Sequence, residues 1–379
     1  MSCRPQSFPA MGHLAMFKVL IIPLVVVGVC AAVANVDLFV QARGFFAELP
    51  PDYSPYFMAR TALALLFGTG IAFWIASGRE QVVLLGGVVT SLAACAAFVF
   101  LAVSVYVMVT DPLQFNLLTV EDGLFEWLSV FALVAAGIMA IAAALVASLA
   151  ARKFGLQGLL LVGLAIVFFA IAIEEVSWLQ RIFGFATPAW FKTWNGQGES
   201  NLHNVATSLF ENAYYFGAFI LLVYVPFVYS SSRILRQDPA LSALVPGCSV
   251  MGAGALTTTF SYQMWNIFWM QTAFFFTLAA LIIMASRLWQ ARAPIAASLL
   301  FFAALLLFMV HTLVLYAGPS LVRNWADKEL KELVVAFGLF LMAVEILLRA
   351  FGEAGQQPPV TSPGSGPPSA QRTQTRLQM

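Results

Sequence analysis

Charged residues are scarce in this sequence, and this is its most informative feature. Asp, Glu, Lys and Arg make up 10% of the 379 residues, whereas hydrophobic residues make up 61% and the mean hydropathy is +0.88. Soluble domains carry roughly a quarter charged residues, so this composition excludes an ordinary soluble protein. No cluster of basic residues is present, which argues against a nucleic-acid partner.

Cysteine and histidine are scarce too, and this limits the possible metal sites. The four cysteines, Cys3, Cys30, Cys95 and Cys248, are scattered singly, so neither a disulfide framework nor a thiolate metal site is indicated. Only three histidines exist. Any metal site would therefore depend mainly on carboxylates.

Long apolar runs are abundant. They extend over about 18 to 27 residues without period-2 alternation, which is typical of membrane-spanning helices rather than barrel strands. The sequence thus predicts an all-α, polytopic helical membrane protein with about ten transmembrane helices. The predicted helices are Phe17–Ala34, Thr61–Ser77, Val82–Val109, Leu124–Ala150, Leu156–Ile173, Val205–Tyr229, Leu241–Phe260, Ile267–Ser286, Ile295–Tyr316 and Leu333–Phe351. The seventh is the weakest, because Pro246-Gly247 interrupts its start, and nine or eleven spans remain open.

The distribution of charge predicts the orientation. With a cytoplasmic N-terminus, twelve of the nineteen basic residues lie inside, which supports cytoplasmic termini in a multi-pass protein of the inner (plasma) membrane. Fourteen of the eighteen carboxylates then lie at the outer face. Topology does not require this acidic skew, but a bound cation, a proton path or an amine-bearing ligand would use it.

The chain divides into two parts. Residues 1–351 form the predicted transmembrane domain, and residues 352–379, rich in Pro, Gly, Ser and Gln, form a predicted disordered cytoplasmic tail. The first apolar run, followed by Ala32-Val33-Ala34, also fits a cleaved signal peptide.

Polar residues concentrate after the fifth helix, in a predicted outer-face loop over residues 177–204. Polar groups at membrane depth are costly unless they pair or line a wet cavity, so this concentration marks a candidate site. Glu174, Glu175 and Arg181, with Glu126 of the fourth helix, are the candidate catalytic residues for acid/base work. The competing interpretation is an ion pair from Glu174 or Glu175 to Arg181.

The second half of the loop is rich in possible ligands. Thr187-Pro188 predicts a short helix with Trp190, Phe191 and Trp194 in the headgroup layer. Glu199, His203 and Glu211 are candidate metal ligands, and the cofactor suggested is a divalent cation. The candidate substrate-binding residues are Ser177, Gln180, Asn195, Gln197, Asn201, Asn204 and His311. Alternatively, Asn201 or Asn204 is a helix N-cap and His311 is a packing residue.

Residues Glu174 to Gly184, together with Gln197, Glu199, Leu202, His203 and Asn204, resemble the signature of a family of uncharacterised bacterial multi-pass membrane proteins. Members of that family usually have Gly where this chain has Leu179. Glu121-Asp122-Gly123 and Glu126-Trp127 resemble a further part of the signature. The resemblance implies a polytopic membrane protein but no particular activity.

Three functions remain open from the sequence. The first is a metal-assisted hydrolase or transferase on a lipid or lipid-linked substrate, with membrane lipids as partners. The second is a cation- or proton-coupled transporter, and the third is a non-catalytic membrane scaffold. Charges at the rim rather than mid-span, and the lack of a visible repeat, place transport second.

Overall fold

The structure is a computed structural model that describes residues 11–44, 46–77, 87–120, 123–195, 198–321 and 326–355. All regular structure in these ranges is helical, as expected for the predicted all-α fold. The principal helices are α1 (Met11–Gln41), α2 (Pro55–Ala76), α3 (Val88–Thr110), α4 (Leu124–Ala151), α5 (Leu156–Glu175), α6 (Thr207–Ser230), α7 (Cys248–Ala255), α8 (Phe268–Gln290), α9 (Pro294–Leu321) and α10 (Ala326–Gly355).

Nine of these helices are long and apolar enough to cross a membrane, within the residues described. The exception is α7, so the prediction of a seventh spanning helix over Leu241–Phe260 is wrong. After Ala255 the chain makes one 3₁₀ turn, Leu256–Thr258, and then runs without a regular helix to Ile267. The hydroxyls of Thr257, Thr258 and Thr259 each donate to a carbonyl three residues back, which favours this early end.

The segment over residues 247–266, here called the broken segment, nevertheless connects opposite ends of the bundle. At its start, the Gly247 amide donates to Glu345 Oε2 (3.1 Å) near the far end of α10. At its finish, Asn266 Oδ1 accepts from the Asp52 amide (2.6 Å), just before α2 begins. Within the described residues, this segment therefore runs from one end of the bundle to the other without forming a continuous helix.

Several predicted boundaries need correction. Helix α10 begins at Ala326 rather than Leu333 and continues to Gly355, so residues 352–355 of the predicted tail are helical; residues 356–379 lie outside the described ranges. Helix α2 begins at Pro55 rather than Thr61. The short helix predicted from Thr187-Pro188 is confirmed over Ala189–Trp194.

Helices α8 and α10 form the centre of the bundle, since about seven tenths of α8 and two thirds of α10 are buried. Helix α10 packs along α4, and α2 packs along α8. Gly68 makes the second contact close, because a Cβ there would lie 2.6 Å from the Thr272 carbonyl oxygen and 3.0 Å from the Phe276 nitrogen. A small residue at this position lets the two backbones approach.

We expect Gly68→Ala to lower the free energy of unfolding by about 1–3 kcal/mol, because backbone atoms cannot move aside as a flexible side chain would. Gly70→Ala is the matched control on the same helix, since nothing lies within 4 Å of a Cβ there. That change should be neutral or slightly stabilising. Thermal unfolding in detergent measures both, and equal effects would contradict the close contact.

Candidate functional site

Ionisable and amide side chains gather at one end of the bundle, here called the polar end. It is defined by Glu48, Glu174, Glu211, Lys328 and Glu332. These residues come from the α1–α2 connection, the end of α5, the start of α6 and the start of α10. Four segments distant in sequence thus contribute to one region.

The polar end begins with an unusual turn after α5. Ser177, Trp178 and Leu179 have φ of 48°, 55° and 68°, so three consecutive non-glycine residues occupy the left-handed region. Each such residue costs roughly 1–2 kcal/mol, and such strain concentrates at functional sites. A glycine in place of Leu179 would relieve part of this strain.

Glu174 fastens the loop that follows the turn. Its Oε2 accepts hydrogen bonds from the backbone amides of Leu202 (2.8 Å) and His203 (3.0 Å). Its Oε1 accepts from the indole of Trp178 (2.6 Å). The carboxylate therefore joins the end of α5 to residues nearly thirty positions later.

A second set of bonds closes the loop on itself. The buried Ser177 hydroxyl donates to Glu199, and the Asn201 amide group donates to Ser177 Oγ (3.1 Å) and to Glu199 Oε2 (3.3 Å). The Asn195 amide group donates to Asn201 Oδ1 (2.8 Å), which also accepts from the Asn204 amide (3.1 Å). The N-caps of the two helical segments that follow are Leu202 and Ala206, so the alternative of Asn201 or Asn204 as an N-cap is wrong.

Gln180 connects the two halves of the loop. Its Oε1 accepts from the Ser200 amide (2.7 Å), and its Nε2 donates to Thr187 Oγ1 (2.7 Å). These bonds join the candidate substrate-binding residues Ser177, Gln180, Asn195 and Asn201 to the protein itself. Their predicted role toward a substrate stays a prediction, and the geometry shows that they shape the loop.

Deeper at the polar end lies a row of alternating charges, here called the ion row: His203, Glu211, Lys328 and Glu48. His203 Nε2 is 3.7 Å from Glu211 Oε1, and Glu211 Oε2 is 2.8 Å from Lys328 Nζ. Lys328 also pairs with Glu48. The side chains of Glu211, Lys328 and Glu48 are at most 10% exposed and that of His203 is 23% exposed, so His203 is the most exposed member of the row.

A second buried group lies beside the ion row. The Tyr215 hydroxyl donates to Glu332 Oε1 (2.8 Å), and Lys331 Nζ lies 4.2 Å from the centre of the Tyr215 ring. Lys331 also donates to Ser261 Oγ (3.0 Å) in the broken segment after α7. Asp327 is buried one turn earlier on α10. These contacts connect α6, α10 and the broken segment.

The ion row changes the proton affinity of its members outside the helices. Burial lowers the pKa of His203, but the nearby carboxylates of Glu211, Glu332 and Glu174 outweigh burial and raise it above its usual value. Burial and repulsion from Glu211 raise the pKa of Glu48, and Lys328 offsets only part of this rise. His203 is thus favoured in its charged form next to a carboxylate.

The other candidate residues predicted from the sequence are not members of the ion row. Glu126 is buried in the first turn of α4, and Glu175 acts electrostatically on Tyr214 of α6. His311 is fully buried, with its ring centre 4.6 Å from that of Trp265 and 4.2 Å from that of Phe274, which fits the packing alternative. The backbone of Arg181 is helical, and Gln197 lies outside the described residues.

The candidate metal ligands are not assembled around one point. Glu199 bonds to Ser177 and Asn201, whereas His203 pairs with Glu211. Across the described ranges, no three His, Cys, Asp or Glu side chains lie close enough together to hold a metal ion. The donor set of the predicted cation site therefore needs a rearranged loop.

Sequence reasoning missed Lys328, Lys331 and Glu332 as members of the site. Placing the start of the last helix at Leu333 assigned them to a loop. A signal was present, since Lys328 and Glu332 are four residues apart, as are Asp327 and Lys331, the spacing of neighbours on one helix face. Glu48 and Tyr215 carried no comparable signal.

The chain matches no protein-family model, no curated protein and no solved structure. Interpretation of the site therefore depends on its residues and their geometry.

We expect Leu179→Gly to raise the free energy of unfolding by about 1 kcal/mol, because glycine adopts the left-handed region without the Cβ penalty. Ile182→Gly is the control in the adjoining helical turn Gln180–Phe183, where glycine should destabilise by a similar amount. Thermal unfolding in detergent compares the two. A loss of stability in Leu179→Gly equal to that in the control would show that the turn is not strained.

We expect stability to fall as the pH rises above the usual histidine pKa of about 6.5. The folded-state pKa of His203 is raised, so its contribution is complete below the unfolded pKa and is lost as the pH passes through the folded pKa. The loss should be on the order of 1 kcal/mol. His203→Gln should flatten the pH dependence of the melting temperature between about pH 6 and 8; an unchanged slope would contradict the pairing with Glu211.

Proposed function

We propose that this protein is a membrane-embedded enzyme that performs acid/base chemistry on a lipid or lipid-linked substrate at its polar end. We further propose that it resides in the inner (plasma) membrane with both termini cytoplasmic and the polar end outward. The observation that carries the proposal is the ion row. Buried ionisable groups near a membrane surface are costly, and they mark sites of proton transfer or ligand binding.

His203 is the group best placed to exchange protons with a substrate. It is the most exposed member of the ion row, and Glu211 lies 3.7 Å from its Nε2. An imidazole beside a buried carboxylate is a common general acid/base pair, because the carboxylate orients the ring and stabilises its charged form. Lys328 pairs with both Glu211 and Glu48 and so holds the two carboxylates in place.

An apolar cavity supports a lipid as the substrate. It has a volume of about 470 Å³ and lies between α3, α4, α7 and α10, lined by residues such as Phe100, Leu128 and Phe337. The lining also includes Leu333, which directly follows Glu332 of the polar end. Cavities of roughly 300–1,000 Å³ with apolar walls are typical ligand sites. An acyl chain would fit the apolar walls, with its headgroup toward the ion row.

Exposed aromatic residues surround the loop and suit a lipid approach. Trp178, Phe183, Trp190 and Trp194 are each about half exposed or more. Amphipathic aromatic rings are favoured at the level of lipid headgroups. A substrate could therefore pass from the bilayer surface along this loop to His203.

The acid/base form of the proposal differs from the metal-assisted form suggested by the sequence. A divalent cation would need Glu199 beside His203 and Glu211, and Glu199 instead accepts the hydrogen bonds of Ser177 and Asn201. The ion row needs no such change. The cation remains a proposal that requires the loop to open.

Proton- or cation-coupled transport is the second candidate function, and the broken segment favours it. Helix α7 ends after eight residues, and α6, which contacts it through Leu222, contains the π-helical turn Ile220–Tyr224. Interrupted helices supply carbonyls for ions in many transporters, and π turns are frequent at functional sites. The charges lie at one end rather than mid-bundle, which is why this function is second.

The proposal predicts that His203→Ala and Glu211→Gln abolish lipid conversion. Removing a positioned acid or base slows a reaction by about 10²- to 10⁴-fold. Mass spectrometry of lipids from proteoliposomes containing a total lipid extract measures conversion. Glu353→Gln, an exposed carboxylate on the far end of α10, should behave as the wild type.

The same proteoliposomes distinguish the two functions when they enclose a pH-sensitive dye. Lipid conversion lost in both ion-row variants supports the enzyme. Unchanged lipids with wild-type protein, together with a proton flux that both variants abolish, would replace the enzyme by the transporter.

A further inference from the structure

A groove between α2 and α8 lies at the end of the bundle opposite the polar end. The groove has a volume of about 850 Å³. Its walls are apolar and include Leu65, Phe73, Leu278 and Ile282. Ser286, Arg287 and Gln290 form its polar rim. It shares no residue with the ion row, so it is independent of the proposed function.

Arg287 gives the groove a charge that its described neighbours do not neutralise. Its Nη1 donates to Ser231 Oγ (3.0 Å) and its Nη2 donates to the Ala76 carbonyl, and both acceptors are neutral. Of the charged groups in the described ranges, the one that acts on Arg287 is Arg236, which repels it. An anion bound at this rim would offset the positive charge of Arg287.

The length of the groove matches one leaflet of a bilayer. Leu65 and Ser77, at its two ends on α2, are twelve residues apart, which corresponds to about 18 Å along a helix. The hydrocarbon core of a bilayer is about 30 Å thick, so each leaflet supplies about 15 Å. Arg287 in the last turn of α8 therefore lies at headgroup level when the apolar walls lie beside acyl chains.

We infer that this groove binds an anionic phospholipid, with the phosphate on Arg287 and one acyl chain between α2 and α8. A guanidinium binds phosphate oxygens through charge-assisted hydrogen bonds in a planar fork. Basic pockets between membrane helices are known to hold anionic headgroups. A free phosphate would use Arg287 but would leave the apolar walls unfilled, and this favours a lipid.

The groove should select by headgroup charge. In detergent, adding phosphatidylglycerol should raise the melting temperature of the wild-type protein more than phosphatidylcholine of the same acyl chains. Native mass spectrometry should retain the anionic lipid at least tenfold more than the zwitterionic one. Arg287→Gln should abolish this difference, because the phosphate loses its charged partner.

Arg292→Gln is the matched control, since Arg292 is an exposed arginine only five residues further along the chain at the same end. It should keep the selectivity of the wild type. Loss of selectivity in both variants would mean that general positive charge, rather than the groove, attracts the lipid, and the inference would be wrong.

Ser286→Trp tests the groove without altering the hydrogen bonds of Arg287, and it decides the question if Arg287→Gln does not fold. Ser286 is exposed on the rim, so an indole there fills the mouth. The variant should lose lipid retention. Full retention in this variant, or a stabilisation by inorganic phosphate alone equal to that by phosphatidylglycerol, would overturn the lipid assignment.

Discussion

The polar end depends on one constraint, the burial of charge. Lys328 lies between Glu48 and Glu211, and so joins the connection after α1, the start of α6 and the start of α10. Removing one member of a buried set leaves an uncompensated charge, at a cost of roughly 3–5 kcal/mol. The place of Glu211 beside His203 depends on this arrangement, because Lys328 pairs with the other carboxylate oxygen of Glu211.

The sequence predicted the parts of the site whose signals are local. The short helix Ala189–Trp194 followed from Thr187-Pro188, and His203 and Glu211, which the sequence grouped as candidate ligands, lie 3.7 Å apart. The partner of Glu211 was not predictable, because Lys328 is 117 positions further along the chain and the predicted helix boundaries placed it in a loop. Which of several carboxylates meets which cation is decided by helix packing.

The broken segment shows a similar limit of prediction from sequence. Its composition is apolar enough for a spanning helix, yet three successive threonines offer the backbone alternative hydrogen bonds, and α7 ends there. Irregular backbone is tolerated at membrane depth only where protein surrounds it. The nearly complete burial from Val250 to Ile267 meets this condition, and it lets Ser261 reach Lys331. Whether such protection exists is a property of the neighbouring helices, which no local pattern records.

The energetic cost of the strained turn is similar to the stabilisation from the hydrogen bonds that fasten it. Three left-handed residues at Ser177–Leu179 cost about 3–6 kcal/mol together. The two bonds from backbone amides to the Glu174 carboxylate contribute about 1.5–3 kcal/mol each, since one partner is charged. Because these quantities nearly balance, the loop also depends on the bonds from the Ser177 hydroxyl to Glu199 and from the Ser200 amide to Gln180. The conformation of this loop therefore depends on several hydrogen bonds acting together rather than on Glu174 alone.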